Sequence, residues 1–306
     1  MASLLLPIIY LAFISLGLPD ALLGAAWPTM YPQLGAQVSW AGGVSMIISA
    51  CTILSALASD RLNERLGTGR VTAISVATTA AALFGFSFCH AFWQLCLWAI
   101  PYGLGAGSVD AALNNYVALH YKSRHMSWLH CMWGVGASLG PVIMGQALAG
   151  SGWQGGYRII GILQVVLTVV LLFSLPLWKL PQDAMGGEPF TPQHRSFPEL
   201  LEVLVCFLCY CALESTAGMW ASSYCTLVRG LDAQTAASWA SLFYLGITAG
   251  RFVSGFLTMK MSDRNMIRLG QVLIALGILL VLLPAGNNVL FVGLILIGLG
   301  LSLIHI

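Results

Sequence analysis

The sequence predicts an all-α integral membrane protein, with about ten transmembrane helices arranged as two six-helix repeats, the second one incomplete. Three observations predict it. Of 306 residues, 58% are apolar and only 8% are Asp, Glu, Lys or Arg, giving a mean hydropathy of +0.85. A water-soluble domain carries roughly 25% charged residues, because its surface must be wetted. Apolar runs long enough to cross a ~30 Å hydrocarbon core recur ten times, and the basic residues collect on one side of them. This composition excludes a soluble enzyme and a secreted disulfide scaffold. A net charge of +2 is too small for a phosphate-binding field, so no nucleic-acid partner is expected.

The first run, 3–30, lacks a basic leader, is too long for a signal peptide and carries Asp20 deep inside. Pro19 interrupts its helical hydrogen bonding just before that acid. Runs 38–59 and 71–89 flank a turn bearing Arg61, Arg65 and Arg70. Runs 92–117 and 127–149 are rich in glycine, which lets neighbouring backbones approach. Run 157–178 completes a first set of six, residues 1–178. Residues 179–198, rich in proline and glycine, read as a cytoplasmic linker. Runs 199–225, 233–258, 267–283 and 288–304 then give about four helices of a second bundle, 199–306.

Ten of the 13 Lys and Arg residues fall in the turns that follow even-numbered runs, which predicts a cytoplasmic amino terminus. The halves also echo each other. SDRLNERLG at 59–67 recurs as SDRNMIRLG at 262–270, matching at six of nine positions. A parallel repeat of this kind is a transporter architecture. Two such halves need about 400 residues, so the sequence reads as a fragment ending in its tenth run, with the closing residues 301–306 a candidate non-native end.

Four ionisable residues lie within the runs: Asp20, Asp110, Glu214 and Arg251. Each costs about 2.5–3.5 kcal/mol at a helix centre, together about 10–14 kcal/mol, which requires pairing, protonation or a wet cavity. Gly103, Gly107, Asp110 and Asn114 form one helical stripe, open to a structural Asp–Asn bond or to a proton site beside a ligand. Asp20, Gly24, Trp27 and Tyr31 share another face, and Glu214 heads a small-residue stripe flanked by Trp220 and Tyr224. Asp20, Asp110 and Glu214 are therefore the proton-coupling candidates. Trp27, Asn114, Asn115, Gln164, Trp220 and Tyr224 are the ligand-binding candidates, and His130 is a candidate relay. Arg251 reads as a gate or as the ion-pair partner of Glu214, within snorkelling reach of the cytoplasmic end. Asp60, Arg61, Asp263 and Arg264 read as gating pairs on the cytoplasmic turns. All eight cysteines lie in apolar runs or at their ends, and the one CxxC, Cys206–Cys209, lacks a second ligand pair, so no metal site is expected.

The segments GLPDALLGAAWP, GLGAGSVDAALNNYVALHY, LHCMWGVGASLGP, LESTAGMWASSY and SLFYLGITAGRF resemble the major facilitator superfamily, and within it the fucose-permease-like sugar:proton symporters. The loop ASDRLNERLGTGRV departs from the superfamily's usual pattern between its second and third helices, in the manner of that branch. The resemblance implies a major facilitator fold and proton-coupled uptake of a sugar or similar small polar solute by alternating access. Its acids on helices 1 and 4 carry over to Asp20 and Asp110. Expected partners are a small-molecule, sugar-like substrate, protons and the lipid bilayer of the cell membrane. No cofactor is implied, and a monomer is expected. The alternatives are a proton-driven exporter of drug-like or amphipathic solutes and a non-transporting receptor of the same fold. An intramembrane enzyme would need a nucleophile or metal constellation, and no HExxH is present.

Overall fold

The computed structural model describes residues 4–178, 197–257 and 261–304. The predicted linker 179–198 lies almost wholly outside the described residues, as do the last two positions of the chain.

Each of the ten apolar runs corresponds to a helix or a pair of helices. The first is broken into α1 (Leu5–Asp20) and α2 (Leu22–Gln33), which meet at Ala21. The break follows from Pro19, which has no N–H for the carbonyl of Ser15 four residues earlier. There follow α3 (Trp40–Leu66), α4 (Thr68–Ser87), α5 (Phe92–His120), α6 (Ser123–Leu148) and α7 (Gly152–Ser174), the last continued by a 3-10 turn at Leu175–Trp178. The second set comprises α8 (Phe197–Leu227), α9 (Ala233–Leu257), α10 (Asp263–Leu282) and α11 (Asn287–Ile304). Among the described residues, eight helical segments are long and apolar enough to cross a membrane, α1 and α2 counting as one. The long helices α5 and α9 are outside that set. They carry Asp110, Asn114 and Asn115, and Arg251 with several Ser and Thr, which lower their hydropathy.

The two copies of the SDR segment do not occupy equivalent places. The first is not a turn: Ser59, Asp60 and Arg61 ride on the last two turns of α3, and the chain turns at Gly67, whose φ of 80° suits a residue without Cβ. In the second copy Ser262 caps α10, so Asp263 and Arg264 open that helix. Asp60, Arg61, Asp263 and Arg264 are all exposed.

Within the first set α1 packs on α6, α4 on α5 and α7, and α3 on α5; in the second, α11 packs on both α9 and α10. The sets meet through two seams, α6 against α9 and α2 against α8. Small residues bring backbones close at both seams. Gly24 on α2 lies against the backbone of Gly218 and Met219, so closely that a Cβ there would collide with main chain. Beside it, the Ser222 hydroxyl donates to the carbonyl of Ala25 (3.0 Å). Gly134 and Gly145 on α6 likewise admit Thr248 and Ser238 of α9.

Candidate functional site

Between the two seams and the amino-terminal ends of α1 and α8 lies a cavity of about 310 Å³. Six helices line it, five of them with side chains at helical spacing: Phe13, Leu16 and Asp20 from α1; Ile48 and Thr52 from α3; Tyr102, Ala106 and Asp110 from α5; His130 and Trp133 from α6; Phe207, Tyr210, Cys211 and Glu214 from α8; and Arg251 alone from α9. The cavity is thus built by both sets of helices. It gathers three carboxylates and one guanidinium among aromatic rings.

Asp20 lines it, exposed to the cavity although deep in the bundle. The Tyr102 hydroxyl donates to Oδ1 (2.9 Å) and the Trp133 indole Nε1–H to Oδ2 (2.7 Å). Both carboxylate oxygens are therefore held, by two different helices. Charge-assisted bonds of this kind are about twice as strong as neutral ones. Asp110, two helical turns beyond Tyr102, also faces the cavity and accepts from Asn114 Nδ2 (3.0 Å). Gly103 and Gly107 of the predicted stripe press against the backbone of α3 at Ile48 and Thr52, and Thr52 bonds the carbonyl of Gly103 (3.2 Å).

Arg251 reaches across from α9 onto α6. Its Nη1 donates to the carbonyl of His130 (3.0 Å), and its guanidinium carbon lies 5.1 Å from the centroid of the Trp133 ring. Tyr210, one turn from Glu214 on α8, adjoins both Glu214 and Arg251. Arg251 is thus a cavity residue clasping the other half of the molecule, rather than a side chain snorkelling to the surface. The ring of His130 lies edge-on to Phe13 at 6.0 Å.

The structure brings together Asp20, Asp110, Glu214, His130 and Arg251, and it sets the other candidates elsewhere. Trp27 is fully buried and donates to the carbonyl of Val38 (2.7 Å), pinning α2 to the start of α3. The break at Ala21 disrupts the face it was expected to share with Asp20. Gln164 is buried against α1: its Nε2 donates to the Ser15 carbonyl and its Oε1 accepts from the Ser15 hydroxyl, both at 2.6 Å. That carbonyl is the one Pro19 deprives of a helical donor, so Gln164 repairs the kink instead of facing a ligand. Trp220 packs into the core beneath α2, Tyr224 donates to the carbonyl of Val281 (2.9 Å), and Asn115 is exposed on a side of α5 away from the cavity. Asn114 touches the site only through Asp110. Thr52, Tyr102, Trp133, Phe207, Tyr210 and Cys211 line the cavity without having been singled out by sequence. Tyr and Trp in apolar runs carry a polar atom that needs a partner when buried, and that was the one available signal.

The family model described as Major Facilitator Superfamily matches residues 9–306. The chain belongs to that superfamily. It is accordingly a multi-pass membrane protein. It is similar to a probable nitrate/nitrite antiporter, NarK1, of Thermus thermophilus, at 28% identity over 304 residues, covering 88% of this chain and 66% of that one. It is also similar to a cis,cis-muconate transport protein of Acinetobacter baylyi, at 22% identity over 246 residues, covering 74% of this chain and 59% of that one. The crystal structure of a D-xylose-proton symporter superposes with a TM-score of 0.69, covering 98% of this chain and 79% of that one; at 11% identity the likeness concerns the fold alone. The chain spans less than two thirds of the length of the curated relatives it matches.

Proposed function

We propose that the protein carries a small polar solute, a sugar or a similar polyhydroxyl compound, across the cell membrane together with protons, by alternating access around this cavity. The observation that carries the reading is Asp20: a carboxylate in a membrane-spanning helix, bonded through both oxygens, yet open to a cavity between the two sets of helices. An isolated carboxylate in lipid is costly. An acid that is held, wet and reachable is suited to gain and lose a proton in each cycle. Asp110 and Glu214 in the same cavity give hydroxyl-rich ligands further acceptors, and aromatic residues in its lining suit the C–H surface of a sugar ring. The resemblance to fucose permeases, with one acid on helix 1 and one on helix 4, supports the same assignment for Asp20 and Asp110.

In this reading the two sets of helices are the two repeats, joined by the linker 179–198, and the amino terminus is cytoplasmic. The cavity then lies on the cytoplasmic side of the contact between α2 and α8, which corresponds to an inward-facing state. The exposed pairs Asp60–Arg61 and Asp263–Arg264 would hold the cytoplasmic ends of helices in one state and release them in another.

One observation favours a second reading. Arg251 brings a cation into the cavity, and the names of two relatives specify anions, nitrate and muconate. A carboxylate solute bound at Arg251 would suit that chemistry. A single assay separates the two: external pH in lightly buffered cells expressing the protein, on addition of sugars and then of organic acids. Alkalinisation with a sugar, absent for Asp20→Asn, supports the first reading. A response to acids alone moves the substrate to the second, and silence with both classes removes the transport proposal.

A further inference from the structure

We propose that Trp133 is a positioning residue through which the charge on Asp20 acts on the contact between the two sets of helices. One indole serves two partners. Its N–H donates to Asp20 Oδ2 on α1 (2.7 Å), and its ring face lies under the guanidinium of Arg251 on α9 (5.1 Å to the centroid). Arg251 in turn grips the carbonyl of His130, one turn before Trp133 on the same helix (3.0 Å). The path Asp20–Trp133–Arg251 therefore starts within the first set of helices and ends in the second.

The chemistry gives this path a direction. Indole N–H is a donor only, so its angle follows the acceptor. A charged carboxylate draws it strongly and a neutral one weakly. The attraction of a ring for a cation depends on the cation standing over its face. When Asp20 loses its charge, the hold on the indole edge slackens, the ring is free to tilt, and Arg251 loses the face on which it rests. The other bond to Asp20, from Tyr102, ends on a residue of the first set of helices. Close packing leaves this path little slack, since Gly134, next to Trp133, is pressed by Thr248 of α9.

The inference rests on the reading of Asp20 as a site that changes charge, but its test needs neither substrate nor gradient. Cys211 lines the cavity on α8, whereas Cys206 and Cys209 are exposed on the same helix outside it and serve as internal references. Alkylation of Cys211 relative to those two, read by mass spectrometry on the purified protein, reports how open the cavity is. Asn in place of Asp20 mimics the uncharged state. Asp20→Asn is expected to change the Cys211 rate about fivefold or more in the parent protein, and less than about twofold when Trp133→Phe is also present, because coupled residues are non-additive. Arg251→Gln, which cuts the path at its far end, must suppress the Asp20→Asn effect in the same way and keeps the test open should Trp133→Phe fold poorly. Tyr102→Phe, which removes the other bond to Asp20, must leave that effect largely intact. A full Asp20→Asn effect in the Trp133→Phe or Arg251→Gln background overturns the inference. So does its equal loss with Tyr102→Phe, or an Asp20→Asn variant that labels like the parent. Failure of the sugar and acid assay with a normal labelling pattern would instead remove the transport reading and leave this coupling standing.

Discussion

Ser15 and Asp20 lie on the same helix, little more than one turn apart, and each engages polar partners from other helices, yet they belong to different kinds of site. Ser15 and Gln164 are both buried and exchange two hydrogen bonds, 2.6 Å each, that close on themselves. Asp20 is held as firmly, by Tyr102 and Trp133, but faces open space and shares it with Asp110, Glu214 and Arg251. A polar group in lipid must have its bonding needs met. Where they are met inside a closed pair, the group is structure. Where a charge is left facing a cavity, the same constraint yields a site that responds to its contents.

The largest expected contrast comes from substituting one member of each site. Asp20→Asn is expected to reduce proton-driven accumulation roughly 100-fold, the scale of losing a group that moves protons, while its thermal unfolding in detergent stays close to the parent's. Gln164→Leu should do the reverse. It leaves the Ser15 carbonyl and hydroxyl buried without their partner, at a cost of about 1–3 kcal/mol, visible as a lower unfolding temperature, with uptake per folded molecule retained. Adding Pro19→Ala supplies a helical donor for that carbonyl and should recover part of the loss. If it recovers nothing, the kink is not what Gln164 repairs. Next in size, Tyr102→Phe removes one of two donors from Asp20 and should weaken apparent affinity about fivefold to tenfold, measured by uptake over a range of concentrations. Trp220→Ala, outside the cavity, should leave apparent affinity within about twofold; a larger change would bring α8's outer half into the site.

The smallest effect concerns Asp232, in the turn before α9, whose Oδ1 accepts from the backbone N–H of Thr235 (2.9 Å). Hydrogen bonds from Thr235 hold its pKa below the usual 3.8. A depressed carboxylate stabilises the fold above its unfolded pKa and loses that contribution as pH falls through the folded value. Asp232 should therefore add no pH dependence to stability between about pH 5 and 8, and Asp232→Ala should cost least at low pH. Circular dichroism at the two extremes checks this.

The run of ten helices was legible because hydropathy over 20 residues is a strong signal, and the break at Ala21 was legible in Pro19. The charged members of the cavity were legible for the same energetic reason: Asp20, Asp110, Glu214 and Arg251 are too costly in lipid to lie there without partners or a cavity. Their neutral neighbours were not. Tyr102, Trp133 and Tyr210 are three among many aromatic residues in apolar helices, and only packing tells which of them turn a polar atom toward an acid. Trp27 shows the converse. Its expected face was counted through an unbroken helix, and the kink that sequence did reveal was enough to send it to Val38. The SDR repeat shows the limit of matching short segments: residues alike at six of nine positions finish one helix and begin another.

The meeting of Gly24 with the main chain at Gly218 has a kinetic consequence. Interlocked leucines would have to be prised apart rotamer by rotamer, and each parting would leave a void. Bare backbone against bare backbone has no teeth. Such a seam is held by dispersion over a narrow strip and by the Ser222–Ala25 hydrogen bond, without a hydrophobic driving force from the surrounding lipid, and water that enters can bond the carbonyls it uncovers. The contact between α2 and α8 is thus a light latch, quick to lift and quick to fall.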